Sequence, residues 1–201
     1  MRMKLPPAFY LNPDVVDVAK QLLGKMLITR FDGKQTSGWI VETEAYAGIV
    51  DKASHAFGGR LTERTRTMYA RGGVAYVYLC YGMHSLFNVV THQEGIPHAV
   101  LIRAIEPAEG MDLMMKRRGK SEMDYSLTAG PGSLSKALGI QTLHTGQSLQ
   151  SNSLWIEDAA RKIEETSIIA SPRVGVAYAQ EDALLPYRFR IQGNCWVSKA
   201  K

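Results

Sequence analysis

Cysteine is scarce, with only Cys80 and Cys195 in 201 residues, far apart and without a CxxC or Cys/His cluster near either. That excludes a disulfide scaffold and a zinc finger, and the expectation is a reduced, intracellular chain. Long apolar runs are missing too: nothing approaches the roughly 18 residues of a membrane span. The opening Met1 to Phe9 carries Arg2 and Lys4 but no apolar stretch before Pro6-Pro7, so no secretory leader or membrane partner is expected. The expected location is the cytoplasm, at the nucleoid if the source is bacterial. G-x-S-x-G, a P-loop and a G-x-G-x-x-G between strand and helix are all absent, which removes the common hydrolase and nucleotide-binding signatures. His84, His92 and His98 fall in one region without HExxH spacing, so no metal and no cofactor is expected.

What is present is an ordinary globular balance, 45% hydrophobic and 21% charged, over a length that suits a single domain, 1–201. Lys and Arg number 24 against 19 Asp and Glu, a formal charge of +5. The surplus suits a polyanion such as nucleic acid, because cations placed on phosphates release condensed counterions, although many soluble proteins carry as much.

Asn12-Pro13, a stripe of Val15, Val18, Ala19, Leu22 and Leu23, and then Gly24 predict a helix over 13–23, with Asn12 as cap and Pro13 at its first position. Lys25 to Arg30, the Asp32-Gly33 turn and Ser37 to Tyr46 read as a hairpin. Ala47 to Gly73 has no apolar period and holds Arg60, Arg64, Arg66 and Arg71; long loops of this kind are disproportionately functional. Val74 to Cys80, Ser85 to Thr91 and Ala99 to Ile105 read as antiparallel strands, with Tyr81-Gly82-Met83 as a turn. Glu106 to Arg118 reads as a helix, as does Leu134 to Leu138 after Gly130-Pro131-Gly132. Ser153 to Ile156, Ser171 to Ala177 and Tyr187 to Ile191 supply further strands. The expected fold class is α+β, one domain with a curved, mostly antiparallel sheet, surrounding helices and a protruding hairpin.

Period two places Glu42, Glu44 and Tyr46 on one strand face, a pattern usual for solvated edge carboxylates. Tyr69, Tyr76, Tyr78 and Tyr81 crowd beside the arginine-rich loop, and aromatic planes next to cations suit stacked bases and phosphates. Strand tyrosines also pack cores, and both readings of Tyr76 and Tyr78 stand. Tyr81, at a turn, is exposed as a wedge.

Longer motifs carry more. Gly38-Trp39-Ile40-Val41-Glu42-Thr43-Glu44-Ala45-Tyr46, Asp51, Ala53-Ser54-His55, Gly59-Arg60, and Ala75-Tyr76-Val77-Tyr78-Leu79-Cys80-Tyr81-Gly82-Met83-His84 with Asn88 closely resemble the alkyladenine (3-methyladenine) DNA glycosylase family. Leu101 to Pro107, Gly130-Pro131-Gly132, Ala137 to Ile140 and Pro172 to Val176 continue the likeness, which spans about 13–198. The resemblance implies a monofunctional, monomeric enzyme without lyase activity that acts on double-stranded DNA containing a damaged purine. Such an enzyme flips the base out and hydrolyses its N-glycosidic bond with water. Glu44 matches the general base, and Arg103 with the Val174 carbonyl the groups that hold the water. Tyr46 on one side, and His55 with Tyr78 on the other, match the sandwich for the flipped base; Asn88 matches the residue that crowds the guanine amino group. Tyr81 matches the side chain that fills the gap in the stack, Met83 lies at the same tip, and Arg60 is a candidate phosphate contact. Stacking between electron-rich rings is expected to favour a cationic alkylated base. Where the family commonly has a lysine this chain has Ser133, with Lys136 one turn later as its replacement. A non-catalytic nucleic-acid binding module is the alternative, and a metal-dependent nuclease a third reading.

Overall fold

The computed structural model describes residues 3–199; Met1 and Arg2, which begin the segment read above as lacking a leader, lie outside the described residues. One sheet gathers β1 (Met3–Lys4), β2 (Met26–Phe31), β3 (Lys34–Ala47), β4 (Ala75–Cys80), β5 (His84–Thr91), β6 (His98–Glu109), β7 (Leu154–Asp158), β8 (Ile168–Ser171) and β9 (Arg188–Ile191). The order is β1-β7-β2-β3-β6-β5-β4, with β9 against β3 and β8 against β9. Its strand pairings are antiparallel. With α1 (Val15–Gln21), α2 (Met111–Arg118) and α3 (Pro131–Leu138), the fold is α+β, as expected.

The β2–β3 hairpin turns where the pattern predicts. Asp32 and Gly33 both take positive φ (52° and 72°), the backbone a two-residue hairpin turn needs to match strand twist. Helix α1 is shorter than predicted, because its cap is Asp14 rather than Asn12: the Asp14 side chain accepts from Val16 N and Asp17 N. Asn12 Oδ1 accepts from Asp14 N instead.

Two further boundaries differ from the sequence reading. The region from Glu106 is strand as far as Glu109, because the 14-residue β3 needs a partner along its length, and Ser37 to Trp39 pair with Glu106 to Glu109. Gly110, at φ 75°, breaks the strand before α2. The strand read at Ser171 to Ala177 instead occupies Ile168–Ser171. Pro172 has no N–H to extend the ladder, and Arg173 is drawn off to Asp51.

Alternation divides the sheet. Ala75, Val77, Phe87, Val89, Val100 and Ile102 join α1 and α3 in the main core, whereas Tyr76, Val90 and Ala99 pack with Ala56 and Met68 of the long 47–73 segment. That segment contains short 3-10 turns at Phe57–Gly59 and Arg66–Tyr69. Its packing against the sheet positions the site.

Candidate active site

Four neighbouring strands lay a row of side chains across the sheet. Glu44 pairs with Leu101, Leu101 with Asn88, and Asn88 with Tyr76. Residues two positions away share the same face, which adds Tyr46, Arg103, Leu86 and Tyr78. These residues line a cavity of about 610 Å³, closed on its other sides by His55 and Arg64, by Gly130 to Ser133 at the start of α3, and by Val174 to Val176.

Period two does put Glu42, Glu44 and Tyr46 on one face, but the solvated-edge expectation fails: both glutamates are fully buried. β3 is no edge there, because β6 pairs it on one side and β9 on the other, with Glu42 opposite Arg190 and Glu44 opposite Arg188. Register shifts between β3 and β6 flank Glu42, so Arg103 has no direct partner in the ladder. Bulges re-aim side chains in this way, and here the guanidinium bridges both acids. Arg103 Nε donates to Glu42 Oε1 at 2.9 Å, and Nη1 lies 3.2 Å from Glu44 Oε1. Burial opposes the charge on Arg103, but Glu44 and Glu42 outweigh it, and its pKa is raised.

The two acids have different surroundings. Glu42 lies outside the cavity lining, in a closed set: Arg103 Nε, Arg188 Nε (2.7 Å), Ser198 N (2.7 Å) and Ser198 Oγ (2.9 Å). Glu44 lines the cavity, where Tyr46 OH donates to Oε2 at 2.8 Å and Val174 N to Oε1 at 2.8 Å. Donors surround it on all of these contacts, the complement of a carboxylate anion. Burial and the neighbouring Glu44 raise the Tyr46 phenol well above its ordinary pKa, so Tyr46 stays a donor. A buried pair holds this corner: Arg173 Nη2 donates to Asp51 Oδ1 at 2.8 Å, Nη1 donates to Ala45 O, and Arg173 Cζ lies 4.9 Å from the Tyr46 ring centre.

The opposite wall is aromatic. His55 meets Tyr78 edge to face, with ring centres 4.6 Å apart, and Tyr76 lies 5.5 Å from Tyr78. Tyr76 is buried and Tyr78 half-buried, so packing and cavity lining coincide. Arg64 Nη2 is 3.3 Å from His55 Nε2, and His55 Nδ1 is 2.9 Å from Tyr76 OH. Since a guanidinium can only donate, Nε2 accepts and Nδ1 carries the proton. Burial, then Arg64 and Arg60, lower the His55 pKa to about 4, so the ring is neutral at physiological pH. The unfolded imidazole takes up a proton near pH 6.5 while the folded one does not, so stability is present above that pH and is lost as pH falls toward 4. Urea unfolding at pH 7 and pH 4.5 is expected to show a smaller acid loss for His55→Gln than for the wild type; an equal loss would contradict the buried neutral ring.

Asn88 is fixed, its Nδ2 donating to Tyr76 O (3.1 Å) and Leu86 O (3.3 Å). Tyr81 and Met83 are 87% and 72% exposed at the β4–β5 turn, where Tyr81 reaches the cavity and Met83 a neighbouring cleft. Arg60 is exposed and lies outside the cavity lining. Lys136 lines the neighbouring cleft; the cation beside Ser133 is Arg118, whose Nη2 is 3.1 Å from Ser133 Oγ. Sequence reasoning missed Arg64, Arg118, Arg188 and Ser198 as parts of this region. Arg64 carried a signal in its arginine-rich loop; nothing local marked Ser198. Among the described residues, no three His, Cys, Asp or Glu side chains gather as a metal site.

Comparison with known proteins agrees with the motifs that meet in this cavity. Residues 8–195 match the family described as methylpurine-DNA glycosylase (MPG). A Chlamydia felis protein is 51% identical over 186 residues, 92% of this chain and 94% of that protein. A Bacillus cytotoxicus protein is 47% identical over 205 residues, 98% of this chain and the whole of that protein. Both carry the name "Putative 3-methyladenine DNA glycosylase". With the family match covering nearly all of its length, the chain belongs to the methylpurine-DNA glycosylase family.

Proposed function

We propose that the protein flips alkylated or deaminated purines out of duplex DNA into this cavity and hydrolyses the N-glycosidic bond with water. The substrates would be of the 3-methyladenine, 7-methylguanine, hypoxanthine and etheno-adenine class. The observation that carries the reading is a buried carboxylate, Glu44, facing an aromatic-walled cavity beside a buried arginine. A module that only binds nucleic acid has no need of that pair.

In this reading Glu44 takes a proton from the attacking water, which Arg103 and the Val174 carbonyl hold. As the purine departs, the sugar gains oxocarbenium character, and the same carboxylate stabilises it. Tyr46 forms one wall for the base and His55 with Tyr78 the other. Because His55 and Tyr78 are nearly perpendicular, at 77°, one presents its face to a flat base and the other its edge. Asn88 crowds a guanine amino group, and its doubly tied amide gives it little room to yield. Tyr81 fills the gap in the duplex with Met83 beside it, and Arg60 meets phosphate. Extrusion itself favours lesions that pair poorly. The cavity lining contains no lysine, which supports hydrolysis without a Schiff base and hence without strand cleavage.

The test is product analysis on duplexes that each hold one lesion, with chelator present. The expected products are free base and an intact strand that breaks only on alkali treatment. Strand cleavage without alkali would contradict the monofunctional reading, and no base release from any of the four lesions would contradict the function.

A further inference from the structure

Arg64 stands out among the cationic groups of the cavity. The charge on Arg103 is matched by Glu42 and Glu44, and that on Arg173, which lies outside the lining against the Tyr46 ring, by Asp51. Arg64 instead rests on neutral groups: its Cζ lies 5.2 Å from the Tyr78 ring centre, and its Nη2 is 3.3 Å from His55 Nε2. His55 is itself uncharged at physiological pH, and no described carboxylate forms an ion pair with Arg64. The aromatic wall thus carries one unmatched positive charge, anchored by a hydrogen bond and a ring contact.

We propose that Arg64 is a specificity-determining residue that biases the cavity toward neutral purine lesions with free acceptor atoms and against cationic N-alkylated ones. This rests on the base-excision reading above and deepens it. A base stacked on the Tyr78 and His55 wall lies within a few ångströms of a fixed guanidinium. A purine alkylated at N7 brings a positive charge of its own and has lost the N7 lone pair. Hypoxanthine is neutral and keeps acceptors at N7 and O6, which suit a group that can only donate. The cation preference of electron-rich rings is therefore opposed, because their cation is supplied by the chain.

The test compares two duplexes of one sequence, with hypoxanthine or 7-methylguanine at the same position, and reads the ratio of kcat/KM values. The ratio removes the different intrinsic lability of the two glycosidic bonds when variants are compared. Arg64→Ala is expected to shift the ratio toward 7-methylguanine by about three- to tenfold, the range for one partly solvated charge at this separation. Arg64→Lys is expected to keep it within about twofold, since the charge remains. Arg64 is exposed, and equal melting temperatures would establish that the variants fold. An unchanged ratio in Arg64→Ala overturns the proposal. So does an equal loss on both duplexes with a salt dependence weaker by about one phosphate contact, which would assign Arg64 to the DNA backbone. If the wild type releases neither base, the base-excision reading itself falls, an outcome independent of the ratio.

Discussion

Replacing Glu44 with glutamine is expected to abolish most base release while leaving lesion binding within a few fold. The amide keeps the shape of the side chain: its oxygen can still accept from Val174 N, and its NH2 can donate to the Tyr46 hydroxyl oxygen, at the two positions where the carboxylate oxygens are held at 2.8 Å each. It cannot take a proton from water, and it brings no negative charge to a developing oxocarbenium ion. General-base catalysis alone accounts for roughly 10²–10⁴ in rate, and the electrostatic loss adds to this. The effect should therefore fall on the chemical step, with folding little changed. Loss of DNA binding in this variant would point instead to a positioning role.

Glu42→Ala is expected to do the reverse, with its main effect on stability. Glu42 joins β3, β6 and β9 to the C-terminal segment by accepting from Arg103, Arg188 and Ser198, and its side chain is fully buried. Removing one partner of a buried ion pair costs about 3–5 kcal/mol, because the cations left behind stay desolvated. In a chain of this size that lowers the melting temperature by roughly 10 °C. Thermal unfolding checks it, and a fall of only a degree or two would mean that the cluster contributes little. The two glutamates share one strand face and one arginine, yet they separate into a group that faces the cavity and a group that holds the fold. For the same reason Glu42→Gln is no neutral control for Glu44→Gln, since it disturbs the Arg103 that both acids hold.

Alternation alone grouped Glu42, Glu44 and Tyr46 on one side of β3, and Tyr76 with Tyr78 on one side of β4, because strand geometry fixes which neighbours share a side. The Asp32-Gly33 turn was legible for a similar reason: its backbone requirement is local. Burial of the glutamates was not legible. It depends on β9, which pairs with β3 across about 140 residues of sequence, and no local pattern reports such a partner. The boundary between β6 and α2 failed in the same way, with the length of β3 outweighing the helical pattern that begins at Glu106. Motif resemblance named most of the residues that meet in the cavity; Arg64 was signalled only by its arginine-rich loop, and Ser198 emerged only from contacts made in three dimensions.

Single-turnover kinetics on one duplex, with protein in excess over a single hypoxanthine or 3-methyladenine, test most directly whether Glu44 performs the hydrolysis. Wild type and Glu44→Gln are compared for base release and for lesion affinity in the same buffer. The expected result is a release rate lower by at least about a hundredfold in Glu44→Gln, with affinity retained. Near wild-type release by Glu44→Gln, at matched occupancy of the DNA, would contradict it.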